Sequence, residues 1–252
     1  MRRHTGIPST GIRQPSVGVI ETNGTTALDG ALKRGFDAVV ATLLLAVLSP
    51  LIFVTALAIV LDSRGPAFFR CRRVGRGGRE FDMLKFRKMH NGACGPALTA
   101  ANDGRFTRMG RFLARTKLDE LPQLWNVLRG DMSLVGPRPE DPSFVRLQRA
   151  DFETVLGVRP GVTGLSQLAF ASESEILDAE HPTDDYLRRV LPQKLELDRM
   201  YVGRRSFRVD LRILAWTAAA VLLRRQVAVN RATGGLSTRR RPTGQLSPVP
   251  LD

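Results

Sequence analysis

One stretch breaks the polar character of this chain. Ala38 to Leu61 (AVVATLLLAVLSPLIFVTALAIVL) runs for 24 residues without a charge, and at ~1.5 Å per residue a helix of that length reaches roughly 36 Å, enough to cross a hydrocarbon core. Ser49-Pro50 stands at its centre. Proline removes a backbone hydrogen bond and crowds the preceding turn, so a sharp kink is expected there, with Ser49 able to satisfy a freed carbonyl. Basic residues flank both ends: Lys33 and Arg34 before the run, and Arg64, Arg70, Arg72, Arg73, Arg76 and Arg79 after it. Basic flanks prefer the cytoplasm, so both ends want the same side. A helix that breaks, dips in and returns meets that demand, and a straight span is the alternative these residues leave open. A cleaved leader fits poorly: the polar region ahead is too long, although Ala56-Leu57-Ala58 resembles a cleavage site.

Beyond the run the pattern changes period. Ala67 to Arg70 and Phe81 to Phe86 alternate around glycines 75, 77 and 78, which predicts a hairpin. Helical spacing follows from about Arg105 to Lys117 and from Leu121 to Arg129, then in a long polar helix from about Asp141 to Val155. Asp210 to Leu223 is apolar but too short to span, and is expected to dock or lie at an interface. The two ends, rich in Thr, Gly, Ser and Pro, carry no apolar period. The expected organisation is a disordered basic arm over 1–30, a membrane helix over 31–62, a folded domain over 63–226 and a disordered basic tail over 227–252. The fold class is α+β, mostly helical, with a small β-hairpin or sheet element.

Charge sharpens this picture. With 38 Lys+Arg against 24 Asp+Glu, the net +14 calls for an anionic partner such as lipid headgroups, phosphorylated substrates or nucleic acid. Aromatics at 6% offer little for base stacking, which weighs against nucleic acid. Cys71 and Cys94 fit neither a metal spacing nor a disulfide framework, consistent with a reduced, cytoplasm-facing domain.

Chemistry concentrates in LDELPQLWN (118–126). Leu121, Leu124, Trp125 and Leu128 give the following helix an apolar stripe. Pro122 is tolerated only in a first turn, so Asp119 and Glu120 sit at a helix start and point in different directions. They therefore cannot act as two carboxylates facing each other across one bond. One can approach a phosphate while the other holds a metal or a base, although Asp119 as an ordinary N-cap is the plainer reading. Gly136-Pro137-Arg138-Pro139 fixes a guanidinium between two prolines, suited to gripping a phosphate, and Lys85 and Arg87 add cations near a strand end. Carboxylates and fixed cations beside a membrane element suit a diphosphate substrate with a divalent metal.

These residues resemble the bacterial sugar transferase family, the monotopic polyprenyl-phosphate phosphoglycosyl transferases. The resemblance rests on Lys33-Arg34 with Asp37, Ser49-Pro50, Gly65-Pro66, Arg73-Val74-Gly75, Lys85-Phe86-Arg87-Lys88-Met89, the block 118–139, Arg159 to Gly164, Leu197-Asp198 with Tyr201, and Asp210-Leu211. It runs in order from about residue 31 to 223. It implies a re-entrant helix broken at Ser49-Pro50. It also implies transfer of a sugar-1-phosphate from a UDP-sugar to undecaprenyl phosphate, with release of UMP and dependence on Mg²⁺, as a first step in exopolysaccharide, O-antigen or glycoconjugate assembly. The residue matching Asp119 is the nucleophile, forms a covalent phospho-sugar intermediate and contacts Mg²⁺, and the one matching Glu120 completes the dyad. Lys85 and Arg138 match cations that neutralise phosphate oxygens. The expected place is the bacterial inner membrane with the domain facing the cytoplasm, among membrane lipids and without nucleic acid. A homodimer is left open.

The chain departs from the family pattern at Ala114, where members carry an arginine, and at Ala171, in a region where many carry another. Arg115 beside Ala114 is the candidate substitute. A membrane-anchored basic binding or scaffolding protein with weak or no transferase activity is the competing reading, one in which the DELPQ and GPRP segments would be idle. The sugar and the glycan pathway are not encoded in any motif.

Overall fold

The computed structural model describes residues 27–93, 98, 103–177, 181–223, 226–230 and 233–239. Residues 1–26 of the expected arm, Cys94 and the last residues of the tail lie outside them, while residues 27–30, expected to belong to the arm, are already helical.

Helix α1 (Ala27–Asp62) is helical without interruption, with Pro50 inside it. The expected break is bridged locally. Pro50 has no N–H to offer the Ala46 carbonyl, and Ser49 Oγ donates to that carbonyl at 2.8 Å. Asp37, Ala41, Thr55 and Ile59 are buried along one face, with Leu45, Leu48 and Ile52 packed beside them. That is a helical stripe along most of the length. Leu43, Val47, Phe53, Val54, Leu57 and Leu61 point outward, and the helix is long and apolar enough to cross a membrane.

Both ends of α1 are tied to the same body. Near its start, Lys33 pairs with Asp210, while Arg34 donates to the Val127 and Leu128 carbonyls. Near its end, Asp62 accepts from the Met109 backbone at 3.0 Å. Arg87 closes the same end, donating to the carbonyls of Ser63 at 2.7 Å and of Ile59 at 3.3 Å.

The hairpin forms as expected, with β1 (Phe68–Val74) and β2 (Glu80–Phe86) antiparallel and Phe68 opposite Phe86. Helix α2 (Arg108–Thr116) begins at Thr107, whose hydroxyl accepts from Gly110 N at 2.9 Å. It stops at Lys117, whose φ of +60° turns the chain left-handed into a 3₁₀ turn over Leu118–Glu120. Helix α3 (Gln123–Arg129) follows and ends at Gly130. Leu124 is buried, but Trp125 is half exposed, so the predicted apolar stripe is narrower than its spacing implied. Asn126 joins α3 to β2: its amide oxygen accepts from Leu84 N at 2.9 Å and its nitrogen donates to Asp82 O at 2.8 Å.

Strand β3 (Ser133–Val135) pairs in parallel with β4 (Gly161–Thr163). The long polar helix expected between them is divided into α4 (Pro142–Leu147), α5 (Arg149–Phe152) and a 3₁₀ turn at Val155–Gly157. Gln148, with non-helical backbone between α4 and α5, breaks the run. Helices α6 (Leu165–Ala169), α7 (Glu173–Ile176) and α8 (Pro182–Asp185) lead to α9 (Leu191–Arg204) and α10 (Phe207–Leu222). The stretch expected to be tail includes a hairpin, β5 (Gln226–Val229) with β6 (Leu236–Arg239). Val227 and Leu236 are buried there, because the apolar positions of this otherwise polar segment complete the main core.

Candidate active site

The left-handed turn at Lys117 swings Asp119 and Glu120 to different partners. Asp119 is 2% exposed, and its Oδ2 stands 2.9 Å from Lys88 Nζ. Its Oδ1 is buried without a hydrogen-bond partner among the described residues. Glu120 Oε1 accepts from Arg138 at 2.8 Å and lies 3.6 Å from Lys85 Nζ. The expectation that the two carboxylates diverge is met.

Electrostatics follow from this crowding. Burial raises the Glu120 carboxyl, but Arg138 and Lys85 outweigh it and hold it well below the usual carboxylate range. Glu120 in turn lifts the Arg138 guanidinium above its already high value. Burial lowers Lys85 against the pull of Glu120.

Two loops hold Arg138. A Cβ on Gly161 would stand 2.0 Å from Gly136 N, and one on Gly136 would stand 2.5 Å from Arg159 O, so only glycines let the GPRP and PGVTG backbones approach this closely. Behind the loop, buried Lys194 lies 3.1 Å from Glu140 and 3.0 Å from Glu173, and Tyr186 donates to Glu140 at 2.6 Å. Burial lowers Lys194, yet the two glutamates outweigh it and the net direction is upward. Asp198 accepts from the Arg138 backbone and from Ser166, and burial pushes its carboxyl up to about 7.

Of the residues singled out in the sequence, the structure therefore gathers Asp119, Glu120, Lys85 and Arg138. Arg87 is elsewhere: its guanidinium is spent on the carbonyls at the end of α1, including Arg64 O. Arg115 is exposed in the last turn of α2, and no ion pair joins it to an acidic residue among those described. Ser49 and Pro50 lie exposed within α1, away from this cluster in sequence. Lys88, the partner of Asp119, sits in the KFRKM run three residues after Lys85, yet nothing in that run distinguishes it from a surface lysine. Glu140, Tyr186 and Lys194 carry no local signal at all.

No group of three or more His, Cys, Asp or Glu side chains converges on one point among the described residues. The acidic pair supplies hard oxygen donors and no soft ones, which suits a hard cation held by one carboxylate and by ligand oxygens; Asp119 Oδ1 is the buried oxygen of the pair without a hydrogen-bond partner among the described residues.

The sequence model of bacterial sugar transferases matches residues 28–224. The chain is 40% identical over 196 residues to a UDP-glucose:undecaprenyl-phosphate glucose-1-phosphate transferase of Caulobacter vibrioides, covering 75% of this chain and 69% of that protein. It is 37% identical over 207 residues to an exopolysaccharide production protein of Rhizobium leguminosarum bv. phaseoli, covering 78% of this chain and 98% of the relative. A third relative, an undecaprenyl-phosphate glucose phosphotransferase of Komagataeibacter xylinus, is 38% identical over 211 residues. There the match covers 80% of this chain but only 38% of the other. The matched span contains the hairpin, the acidic turn, both glycine-bearing loops and α10, so the chain belongs to the bacterial sugar transferase family.

Proposed function

We propose that this chain is a phosphoglycosyl transferase that moves a sugar-1-phosphate from a UDP-sugar onto undecaprenyl phosphate and releases UMP. The observation that carries the reading is the acidic turn. Asp119 keeps one buried oxygen uncommitted while Glu120 is locked to Arg138.

Asp119 is the nucleophile. An oxygen of its carboxylate bonds to the sugar-bearing phosphorus, the bond from that phosphorus to the bridging oxygen breaks, and UMP departs with the electron pair. A phosphate oxygen of undecaprenyl phosphate then attacks the same phosphorus and expels the carboxylate. Two in-line displacements divide one difficult encounter between a soluble diphosphate and a membrane phosphate. Arg138 and Lys85 neutralise the phosphate oxygens, and Glu120 fixes both cations in place. Asp119 together with the diphosphate oxygens would hold Mg²⁺, whose chemistry there is to draw charge from the leaving phosphate.

The tethering of α1 supports a monotopic arrangement. A helix whose two ends both bind one domain cannot deliver them to opposite faces of a bilayer, whereas its outward apolar face can embed from one side. The domain then faces the cytoplasm at the inner membrane, where the nucleotide sugar is made.

The test is UMP release by the purified full chain with undecaprenyl phosphate, Mg²⁺ and a panel of UDP-sugars including UDP-glucose. Release with one sugar supports the reading and names the donor. Absence of release with every sugar, from folded protein, refutes it in favour of a membrane-anchored binding protein.

A further inference from the structure

Lys88 is built into the site and has no role in the reaction as described so far. Its backbone is clamped: its carbonyl accepts from Thr107 N at 3.0 Å, and a Cβ on Gly110 would stand 1.8 Å from that same oxygen. Thr107 and the first turn of α2 thus fix where the side chain begins. The side chain passes over the Phe106 ring at 5.9 Å and ends 2.9 Å from Asp119 Oδ2. The two oxygens of Asp119 are thereby made unequal, Oδ2 bound by an ammonium and Oδ1 buried with no partner among the described residues.

Resting on the transfer reading above, we propose that Lys88 is a catalytic residue, the counter-cation of the nucleophile. It holds Oδ2, leaves Oδ1 to form the bond to phosphorus, and turns to the phosphate oxygens as the reaction proceeds. The exchange follows from charge. When Oδ1 becomes the ester oxygen of an acyl phosphate, the carboxylate loses its charge and Lys88 loses its partner. The phosphoryl oxygens on the new bond bring negative charge to the same place, within reach of the same flexible ammonium. When undecaprenyl phosphate displaces the carboxylate, the charge returns to Asp119 and the original pair re-forms. No proton moves in either step.

The same geometry sets how the free protein meets a metal. An ammonium 2.9 Å from Oδ2 opposes a second cation at that carboxylate. Lys88 therefore keeps divalent ions weakly bound until a diphosphate arrives with further ligand oxygens.

Two measurements on the full chain in detergent test this. The first is the single-turnover rate of adduct formation on the Asp119 peptide at saturating UDP-glucose, followed by mass spectrometry. The second is Mn²⁺ binding to substrate-free protein, followed by paramagnetic resonance. Lys88→Met is expected to slow adduct formation at least tenfold and to bind Mn²⁺ at least threefold more tightly. Lys88→Arg is expected to keep weak Mn²⁺ binding and most of the rate. An unchanged rate in folded Lys88→Met overturns the proposal, and so does a slower rate with unchanged Mn²⁺ affinity, which is the signature of a packing role. Should Lys88→Met not fold, Lys88→Gln takes its place under the same criteria. The Mn²⁺ arm needs no sugar nucleotide, so a wild type that forms no adduct on Asp119 counts against the transfer reading and not against Lys88.

Discussion

A β-carbon on Gly110 would lie 1.8 Å from the carbonyl oxygen of Lys88, so the residue that contacts Asp119 is positioned by the absence of a side chain in the first turn of α2. Gly110→Ala must push the two backbones apart. Alanine favours a helix interior by about 1 kcal/mol over glycine, but overpacking here is expected to cost about 1 to 3 kcal/mol. The expected result is a lower melting temperature together with slower adduct formation. A variant as stable and as fast as wild type would show that Lys88 is not held from α2.

Asp119→Asn keeps the shape of the side chain and removes the attacking carboxylate, so UMP release should fall to background. The fold should survive. The loss of one partly exposed ion pair with Lys88, about 1 kcal/mol, corresponds to about 2 to 4 °C in a chain of this size. Turnover and a melting curve on the same sample decide it, and substantial UMP release by this variant would remove Asp119 as the nucleophile.

Much of this site is legible in the sequence because short-range rules govern it. Pro122 places the acidic pair ahead of a helix, prolines 137 and 139 stiffen Arg138, and period-two alternation marks β1 and β2. The misreadings have long-range causes. Arg87 looks like a phosphate ligand beside Lys85, but it caps a helix 24 residues upstream, at Ser63. Arg115 is adjacent to Ala114 in sequence, yet one step along a helix turns a side chain by roughly 100°, and it faces out. Trp125 shares the spacing of a buried stripe but stands 53% exposed. Lys194, which no sequence motif marks, is buried between Glu140 and Glu173, partners 54 and 21 residues away.

Metal removal is the next expectation. The acidic pair offers oxygens and no soft ligands, so Mg²⁺ or Mn²⁺ should support turnover and Zn²⁺ should not substitute well. Exhaustive chelation is expected to bring UMP release to background and added Mg²⁺ to restore it. Full activity after chelation would contradict a cation at Asp119.

The pH dependence of stability isolates Asp198. Lys194 one turn away on α9, Glu140, the Ser166 hydroxyl and the Arg138 backbone all face it, and burial raises its carboxyl from 3.8 to about 7. Between roughly pH 4 and 7 the folded chain keeps a proton that the unfolded chain has released, so this group's contribution is present at low pH and lost as pH rises through about 7. Asp198→Asn has no such loss. Its stability relative to wild type should therefore climb across that window, by on the order of 4 kcal/mol, and level off above it. A pH-independent difference would show that Asp198 titrates at its ordinary value.

The path of α1 makes the last prediction. Lys33 and Arg34 bind Asp210 and the end of α3, while Asp62 and the carbonyls of Ile59 and Ser63 bind α2 and Arg87. Each set includes ions or charged donors satisfied by the same domain, and separating either end would strand them. A straight span would have to break one set completely; a segment embedded from one side keeps both and still gives Phe53, Val54 and Leu57 to lipid. The expectation is tested in inverted and right-side-out vesicles, with Cys71→Ser and Cys94→Ser as background and single cysteines introduced by Gly30→Cys, Phe53→Cys and Arg64→Cys. Gly30 has open space around it and Arg64 is exposed, so neither change disturbs packing. Both should react with an impermeant thiol reagent from the cytoplasmic side alone, and Phe53→Cys from neither. If Gly30→Cys reacts only from the opposite side, α1 crosses the bilayer, and the contacts of Lys33 and Arg34 with the domain do not form in the membrane.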